Sequence, residues 1–465
     1  MTGAPMMTLA QALAFVRQRA PEARLIGDGA TPLLRVHSDT RTLAAGDLFV
    51  ALKGERFDAN QLLPQARAAG AAAAMAHGGL AEAGLPGIEV ADTLQALGAL
   101  AAGWRAQWRG PLIGVTGSNG KTTVTQMIAA VLGAWKRRAA FATQGNFNNA
   151  VGVPLTLLGL RALHEVAAVE LGMNHPGEIA GLADIARPTV ALVNNAQREH
   201  LEFMHSVEAV ARENGSALTA LPPDGVAVFP VADAFTPLWR ELAGARRCIT
   251  FGDDAGDVYC EAAHWRDGAW DARIAMPHGA FDTRLNIAGR HNVTNALAAC
   301  ACALAVGVPL TVIAQGLARF QPMPGRSRAF GLHCRGRAIT VVDDSYNANP
   351  DSVRAAIDVL AQLPGPRLLA LGDMGEVGEQ GPHFHAEAGD YARQQGVEQM
   401  LALGDLSSHA ARAFGASARH FDDMTALIAA LRAQLPDMGS VLVKGSRFMK
   451  MEQAVQAIEQ EGACC

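Results

Sequence analysis

The residues from Gly114 to Thr123, GVTGSNGKTT, have the types and order of a site that handles a nucleoside triphosphate. Val115 and Thr116 end an apolar strand pattern, Gly117, Ser118, Asn119 and Gly120 make a flexible turn, and Lys121 opens a helical pattern. Glycines let backbone N–H groups turn toward phosphate oxygens, a helix N-terminus adds partial positive charge, and the lysine supplies a mobile point charge. The hydroxyl of Thr122 or Thr123 is placed to reach a magnesium ion. The segment departs from the general phosphate-loop pattern, because Val115 stands where the first glycine is expected and Gly117 lies four residues before the lysine. A glycine turn that merely joins strand to helix is the alternative reading.

Other candidates follow the ends of other apolar strand patterns. Glu170 closes one strand, where a carboxylate facing the phosphate loop could hold magnesium directly or through water. Asn194 and Asn195 close another, with His200 shortly beyond. A solvated glutamate and a structural histidine are the bland alternatives. In QGNFNN, Asn146, Asn148 and Asn149 are either turn formers, since asparagine tolerates left-handed backbone, or amides suited to a polar substrate carrying peptide or sugar groups. Spacing alone does not choose between these. Asp343, Asp344, Ser345, Tyr346, Asn347 and Asn349 follow a further strand at 339–343 and also belong at a sheet's carboxyl edge. Arg326 and Arg328 lie in the joint QPMPGRSR, from which an arginine reaches a transferring phosphate only if one domain closes on another. His383 and His385 read as surface or capping residues rather than a metal pair.

The elements that must position these residues alternate strand and helix, which predicts an α/β fold: parallel sheets covered by helices, with ligands beyond the carboxyl ends of the strands. A chain of 465 residues is long enough for three domains with separate cores. Expected boundaries give a small α/β domain over 1–92, a central phosphate-loop domain over 93–324 and a second α/β sheet over 325–465. Thr8 and Thr93 are the expected caps of helices near the start of the first two. Half the residues are hydrophobic and 18% are charged, with a net charge of -5, so neither disorder nor a general attraction to nucleic acid or anionic lipid is expected. The first twenty residues lack a secretion-signal pattern, and the apolar stretch 296–308 is too short for a bilayer span of about 20 residues. A soluble, cytoplasmic, monomeric protein is expected. Seven scattered cysteines, with Cys464-Cys465 at the end, fit neither a disulfide framework nor a zinc site, and Cys300 and Cys302 read as small core residues.

Together these segments resemble the Mur ligases, ATP-dependent enzymes that extend the UDP-linked peptidoglycan precursor, and the likeness covers nearly the whole chain. GVTGSNGKTT resembles the family's ATP loop, ELGMNHPGEI with Glu170 its magnesium-binding strand end, NNAQREHLE with His200 its second metal segment, and GRHNVTNALAA with His291, Asn292 and Asn295 its adenine-contacting helix. GNFNNAVGVPLTLL, DDSYNANPDS, LGDMGEVG and VLVKGSR resemble the branch that adds D-alanyl-D-alanine to UDP-N-acetylmuramoyl-tripeptide. HSDTRTLAAGDLFVALKG resembles the start of that branch's domain for the UDP precursor. The resemblance implies ATP and Mg2+ as cofactors. It implies a three-domain fold and amide formation through an acyl phosphate. Lys121, His200 and Arg326 would serve catalysis, with magnesium on Thr122, Glu170 and His200. Asp344 would orient the nucleotide, Arg41 would serve the UDP precursor, and Tyr346, Asn347 and Asn349 would line the dipeptide pocket. Because Arg326 and Asp344 must reach nucleotide held by the central domain, the resemblance predicts an incomplete site before closure.

One position departs from that pattern. Many family members carry, in the helix after the histidine, a lysine that becomes carbamylated and bridges metals, whereas VARENGSAL places Asn214 there. Either another group such as Glu213 holds the second magnesium, or the alignment slips by one. The preceding ligase of the series usually carries an Asp-Asn-Pro-Arg string, absent here, and folate polyglutamate ligases lack the DDSYNANP segment. A phosphate-loop switch or motor is the rival of another class; it would turn over ATP without a UDP-muramoyl peptide and a dipeptide.

Overall fold

The computed structural model describes residues 4–464, apart from the side chains of 462–464, so the cysteines at 464–465 lie outside the described side chains. Strands buried on both faces of a parallel sheet read as unbroken apolar runs. LIGVT at Leu112–Thr116, VAAVE at Val166–Glu170 and VALV at Val190–Val193 are buried along their whole length. They sit side by side in a nine-stranded sheet, in the order Ala140–Ala142, Val166–Glu170, Leu112–Thr116, Val190–Val193, Val226–Pro230, Arg247–Gly252, Val258–Arg266, Ala269–Met276 and Gly279–Leu285. Neighbours run parallel as far as Val258–Arg266, and the last two strands add an antiparallel ribbon. Trp265 and Trp270 face each other across that ribbon with ring centroids 5.4 Å apart. The five strands of this sheet between Val226 and Leu285 are not anticipated by the sequence reading.

Chain order reverses at Leu112–Thr116, which has Val166–Glu170 on one side and Val190–Val193 on the other. Such a switch point opens a crevice beyond the carboxyl ends of the strands. Register makes the crevice specific: Glu170 pairs with Val115 and Val193 with Thr116, so Glu170, the glycine turn and Asn194 leave the sheet at one edge.

A second sheet of six strands runs Arg328–Cys334, Arg337–Asp344, Ser440–Lys444, Arg367–Gly372, Gln399–Leu403, Ala418–Phe421. Only its first pair is antiparallel. A third sheet of five short strands is built from Arg24–Ile26, Gly87–Glu89, Ala73–Ala76, Asp47–Val50 and Arg35–His37. The N-terminal helix Leu9–Val16 starts on a Thr8–Gln11 capping box, as its sequence predicts. At the next boundary Asp92, not Thr93, is the cap; its carboxylate accepts from the N–H groups of Leu94 and Gln95. A carboxylate serves as well as a hydroxyl there, for about 1 kcal/mol. Cys300 and Cys302 are fully buried core residues, as expected. His385 is not at the surface: it is fully buried, accepts the Met374 N–H at 2.9 Å and lies 2.7 Å from the Gly381 carbonyl. Its helix, Gly381–Gln394, turns that face inward, whereas His383 is exposed. Among the described residues no helix is long and apolar enough to cross a membrane.

Candidate active site

The glycine turn is held in shape by its neighbours. Gly117 and Gly120 adopt φ of 129° and 82°, and a Cβ at either would meet Asn194 or Asn295 atoms within 3.0 Å, so only glycine fits. The Gly117 N–H donates to Asn214 Oδ1 (2.9 Å), the Ser118 N–H to the Asn195 carbonyl (3.1 Å) and the Asn119 N–H to Asn195 Oδ1 (2.8 Å). The first half of the turn therefore spends its N–H groups on the protein, contrary to the expectation that Gly117 frees its backbone for phosphate. The anion-binding end is left to the start of the helix Lys121–Lys136.

Lys121 folds back on this turn. Its ammonium donates to the carbonyls of Gly117 (2.6 Å) and Ser118 (3.0 Å) and to Glu199 Oε1 (2.9 Å). Sequence reasoning does not single out Glu199, which sits in a charged run, Arg198-Glu199-His200. It is only 6% exposed. His200 Nε2 lies 3.4 Å from the same Glu199 oxygen, and its Nδ1 is hydrogen-bonded to Glu376. Burial disfavours the charged imidazole, but the bonds to Glu199 and Glu376 outweigh it and push the pKa up to about 9.

Glu170 is 1% exposed; its Oε1 accepts from Thr122 Oγ1 (3.1 Å) and Asn148 Nδ2 (2.7 Å), while its Oε2 has no partner. Buried carboxylate oxygens are costly without a cation or donors, and a hydroxyl beside a carboxylate is an oxygen donor set suited to Mg2+. Thr122 and Glu170 therefore fit magnesium. Among the described residues no three or more His, Cys, Asp or Glu side chains converge as a self-sufficient metal cluster.

A row of amides ties the turn to the helix His291–Ala305. Asn292 Oδ1 accepts from Asn295, Asn295 Oδ1 from Asn194, and Asn194 and Asn195 both donate to the Asn119 carbonyl. Asn149 takes the turn-forming role left open by its sequence, since its Oδ1 accepts the N–H groups of Val151 and Gly152.

The joint before the six-stranded sheet and the segment after its second strand complete the cleft. Arg326 donates to Thr122 Oγ1 (3.2 Å) and lies over the Tyr346 ring at 3.9 Å. Asn349 pairs with Asn119. Arg198 grips Asp351 and Glu387. The incomplete arrangement expected before closure is thus not what the structure holds: Arg326 is already beside Thr122. Asp344 accepts from Ser327 and from Lys444 Nζ (2.6 Å); burial opposes its ionisation, yet Lys444 holds the carboxyl below the usual range.

One cleft of ≈ 1040 Å³ gathers Ser118 to Thr123, Asn146, Asn148, Asn149, Glu170, His200, Asn292, Asn295, Arg326, Asp344, Tyr346, Asn347 and Asn349. Val115, Thr116 and Gly117 lie beneath it rather than on its wall. Arg41 is not brought there; it is largely exposed beside Asp39. Arg328 also turns away, toward Glu459 and Asp343. Glu213 is excluded as a stand-in for the missing lysine, because its carboxylate caps the helix Glu178–Ala186 through the N–H groups of Gly177 and Ile179.

Residues 35–105 match the catalytic domain of the Mur ligase family, 115–303 the Mur ligase middle domain and 328–447 the Mur ligase glutamate ligase domain. The chain is a Mur ligase. Among relatives of this ligase, the UDP-N-acetylmuramoyl-tripeptide–D-alanyl-D-alanine ligase of Escherichia coli is 40% identical over 433 residues, covering 92% of this chain and 94% of that one. A MurF crystal structure from Acinetobacter baumannii shares 34% identity with a TM-score of 0.89, over 99% of this Mur ligase and all of its own chain (100%). MurF from Thermotoga maritima in complex with ADP shares 25% identity with a TM-score of 0.80, over 92% and 98% of the two chains.

Proposed function

We propose that this Mur ligase joins D-alanyl-D-alanine to UDP-N-acetylmuramoyl-tripeptide with ATP, giving the pentapeptide precursor of peptidoglycan, ADP and phosphate. One observation carries the reading: the phosphate loop and the Asp344–Asn349 segment of the other sheet wall a single cleft, with Arg326 beside Thr122. A nucleotide and a second, amide-rich substrate can therefore meet there.

A carboxylate is a poor electrophile until one oxygen becomes a leaving group. The tripeptide's terminal carboxylate attacks the γ-phosphorus and ADP departs. The dipeptide amine then adds to the acyl phosphate carbonyl, loses a proton, and the tetrahedral adduct expels phosphate to leave an amide. Both steps depend on in-line positioning and on neutralising phosphate charge. Lys121 swings from Glu199 toward the β- and γ-phosphates, and Arg326, fixed against Tyr346, offers its guanidinium to the transferring group. Magnesium, when bound, neutralises phosphate oxygens; Thr122 and Glu170 would hold it, with His200 at a second position. Asn292 and Asn295 stand on the nucleotide side and Asp344 orients the nucleotide. Asn146 and Asn148 face the muramoyl peptide on the loop that Asn149 shapes, while Tyr346, Asn347 and Asn349 line the dipeptide side. Arg41 serves the UDP moiety from the N-terminal sheet.

Functional domains over 1–92, 93–324 and 325–465 belong to this reading, as do a cytoplasmic location and a monomeric state. The test is phosphate release with ATP and magnesium. Release that needs both the UDP-muramoyl tripeptide and D-Ala-D-Ala, and is lost in Lys121→Ala, supports the reading. Release without either substrate overturns it in favour of a switch or motor.

A further inference from the structure

We infer that Glu199 is a magnesium ligand of the nucleotide-bound enzyme, the carboxylate that supplies at the second metal position the charge that neutral Asn214 cannot. The inference rests on the proposed function, and it starts from charge balance. Glu199 is 6% exposed and lines the cleft, yet its Oε2 has no partner. Its Oε1 is matched by the Lys121 ammonium at 2.9 Å. The lysine's three N–H donors are all engaged, so it reaches phosphate only by giving bonds up. When it extends to phosphate it leaves its bonds to Glu199, Gly117 and Ser118 together.

The nearest other group to Glu199 is His200, whose Nδ1 is committed to Glu376. As a ligand at the second metal position its ring is neutral and brings no charge to offset the buried Glu199 carboxylate. A buried carboxylate without a counter-charge is strongly disfavoured, so a cation must replace the ammonium. Neither Glu213 nor Asn214 does so. Asn214 is neutral, 1% exposed and bonded to Gly117, and Glu213 caps a helix. A divalent cation that keeps waters and phosphate oxygens needs only one or two protein carboxylates. Glu199 and Glu170 each present one unpartnered, buried oxygen on the wall of the same cleft. The same carboxylate would thus hold the lysine in one state and the metal in the other.

Mn2+ replaces Mg2+ as the probe, and its binding to the full chain is followed by electron paramagnetic resonance with saturating ADP. Glu199→Gln keeps the side chain's size and should weaken Mn2+ binding at least tenfold, while its affinity for ADP in EDTA is maintained or increased because Lys121 is released. Unchanged Mn2+ affinity, with only ADP affinity altered, would reduce Glu199 to a partner of Lys121 and overturn the inference. The wild-type enzyme gives an independent readout if that variant does not fold. Fe2+ with ADP, ascorbate and peroxide should cut the backbone near both 170 and 199, and cleavage near 170 alone overturns the assignment. Ligation by the wild type is assayed in parallel; its absence would sink the proposed function, whereas ligation together with a metal-indifferent Glu199→Gln would sink only this inference.

Discussion

Asn119, in the phosphate loop, and Asn349, at the head of a helix in the six-stranded sheet, exchange hydrogen bonds: Asn349 Nδ2 donates to Asn119 Oδ1 at 2.9 Å and Asn119 Nδ2 to Asn349 Oδ1 at 3.3 Å. Asn349 Oδ1 also accepts the Ser352 N–H at 2.8 Å as the helix cap. The two functions can be separated. Asn349→Asp keeps the capping oxygen and loses the amide donor, so the unfolding midpoint should hold while the KM for the dipeptide rises several-fold, as the loss of a bond worth about 1 kcal/mol would give. Asn349→Ala loses the cap too and should also unfold earlier. Equal kinetics in wild type and the aspartate variant would show that the pair does not matter to turnover.

Arg326 is placed by Tyr346 and Thr122 rather than by the flexible joint that its sequence suggests. Arg326→Ala should lower kcat on the order of a hundredfold or more, as expected for a guanidinium that stabilises a transferring phosphoryl group. Arg326→Lys keeps the charge but not the planar stacking, and should recover only part of the rate. Steady-state kinetics of the two variants checks this; a rise in KM with kcat intact would assign Arg326 to ground-state binding instead.

Asn214 offers the Gly117 N–H an acceptor, so Asn214→Leu leaves a buried donor unpaired at a cost of about 1–3 kcal/mol. The expected result is a higher KM for ATP and a lower unfolding midpoint, with Asn214→Asp retaining the acceptor and much of the ATP affinity. Asn214→Lys sets a donor against a donor; its activity should be reduced without bicarbonate and should respond to added bicarbonate if a carbamate forms. An Asn214→Leu enzyme with wild-type KM for ATP would remove Asn214 from the list of groups that shape the loop.

The His200–Glu376 contact predicts a pH dependence. A folded pKa raised from 6.5 to about 9 means that its contribution to stability is complete below the unfolded value and fades as pH climbs through the folded one. The gap in urea midpoint between the metal-free wild type and Glu376→Gln should therefore narrow from pH 6.5 to 9. A gap that stays constant across this interval would mean that the contact does not titrate.

Much of this site is legible in the chain because its chemistry sits at strand ends. The runs before Glu170, Asn194 and Asp344 are apolar and short, and their register then brings the following residues to one edge. Glu199 is hidden to such reading, since its burial depends on Lys121, 78 residues earlier in the chain, and its local sequence is charged on both sides. The ribbon from Val258 to Leu285 is buried irregularly along its strands and has no helix between them, so the strand–helix rhythm that reveals the rest gives no signal there. His385 shows a third limit. Its helix carries polar residues around much of its circumference, and only packing decides which histidine turns inward.

The three N–H groups of Gly117, Ser118 and Asn119 are satisfied before any nucleotide arrives. Folding itself has then already met the conformational entropy of ordering that turn, and ligand binding has less left to freeze. Nucleotide affinity across variants of this ligase should accordingly follow the charges that meet the phosphates, and insertion of a more flexible residue into the turn should act through a slower, looser approach of the triphosphate rather than through any lost contact with it.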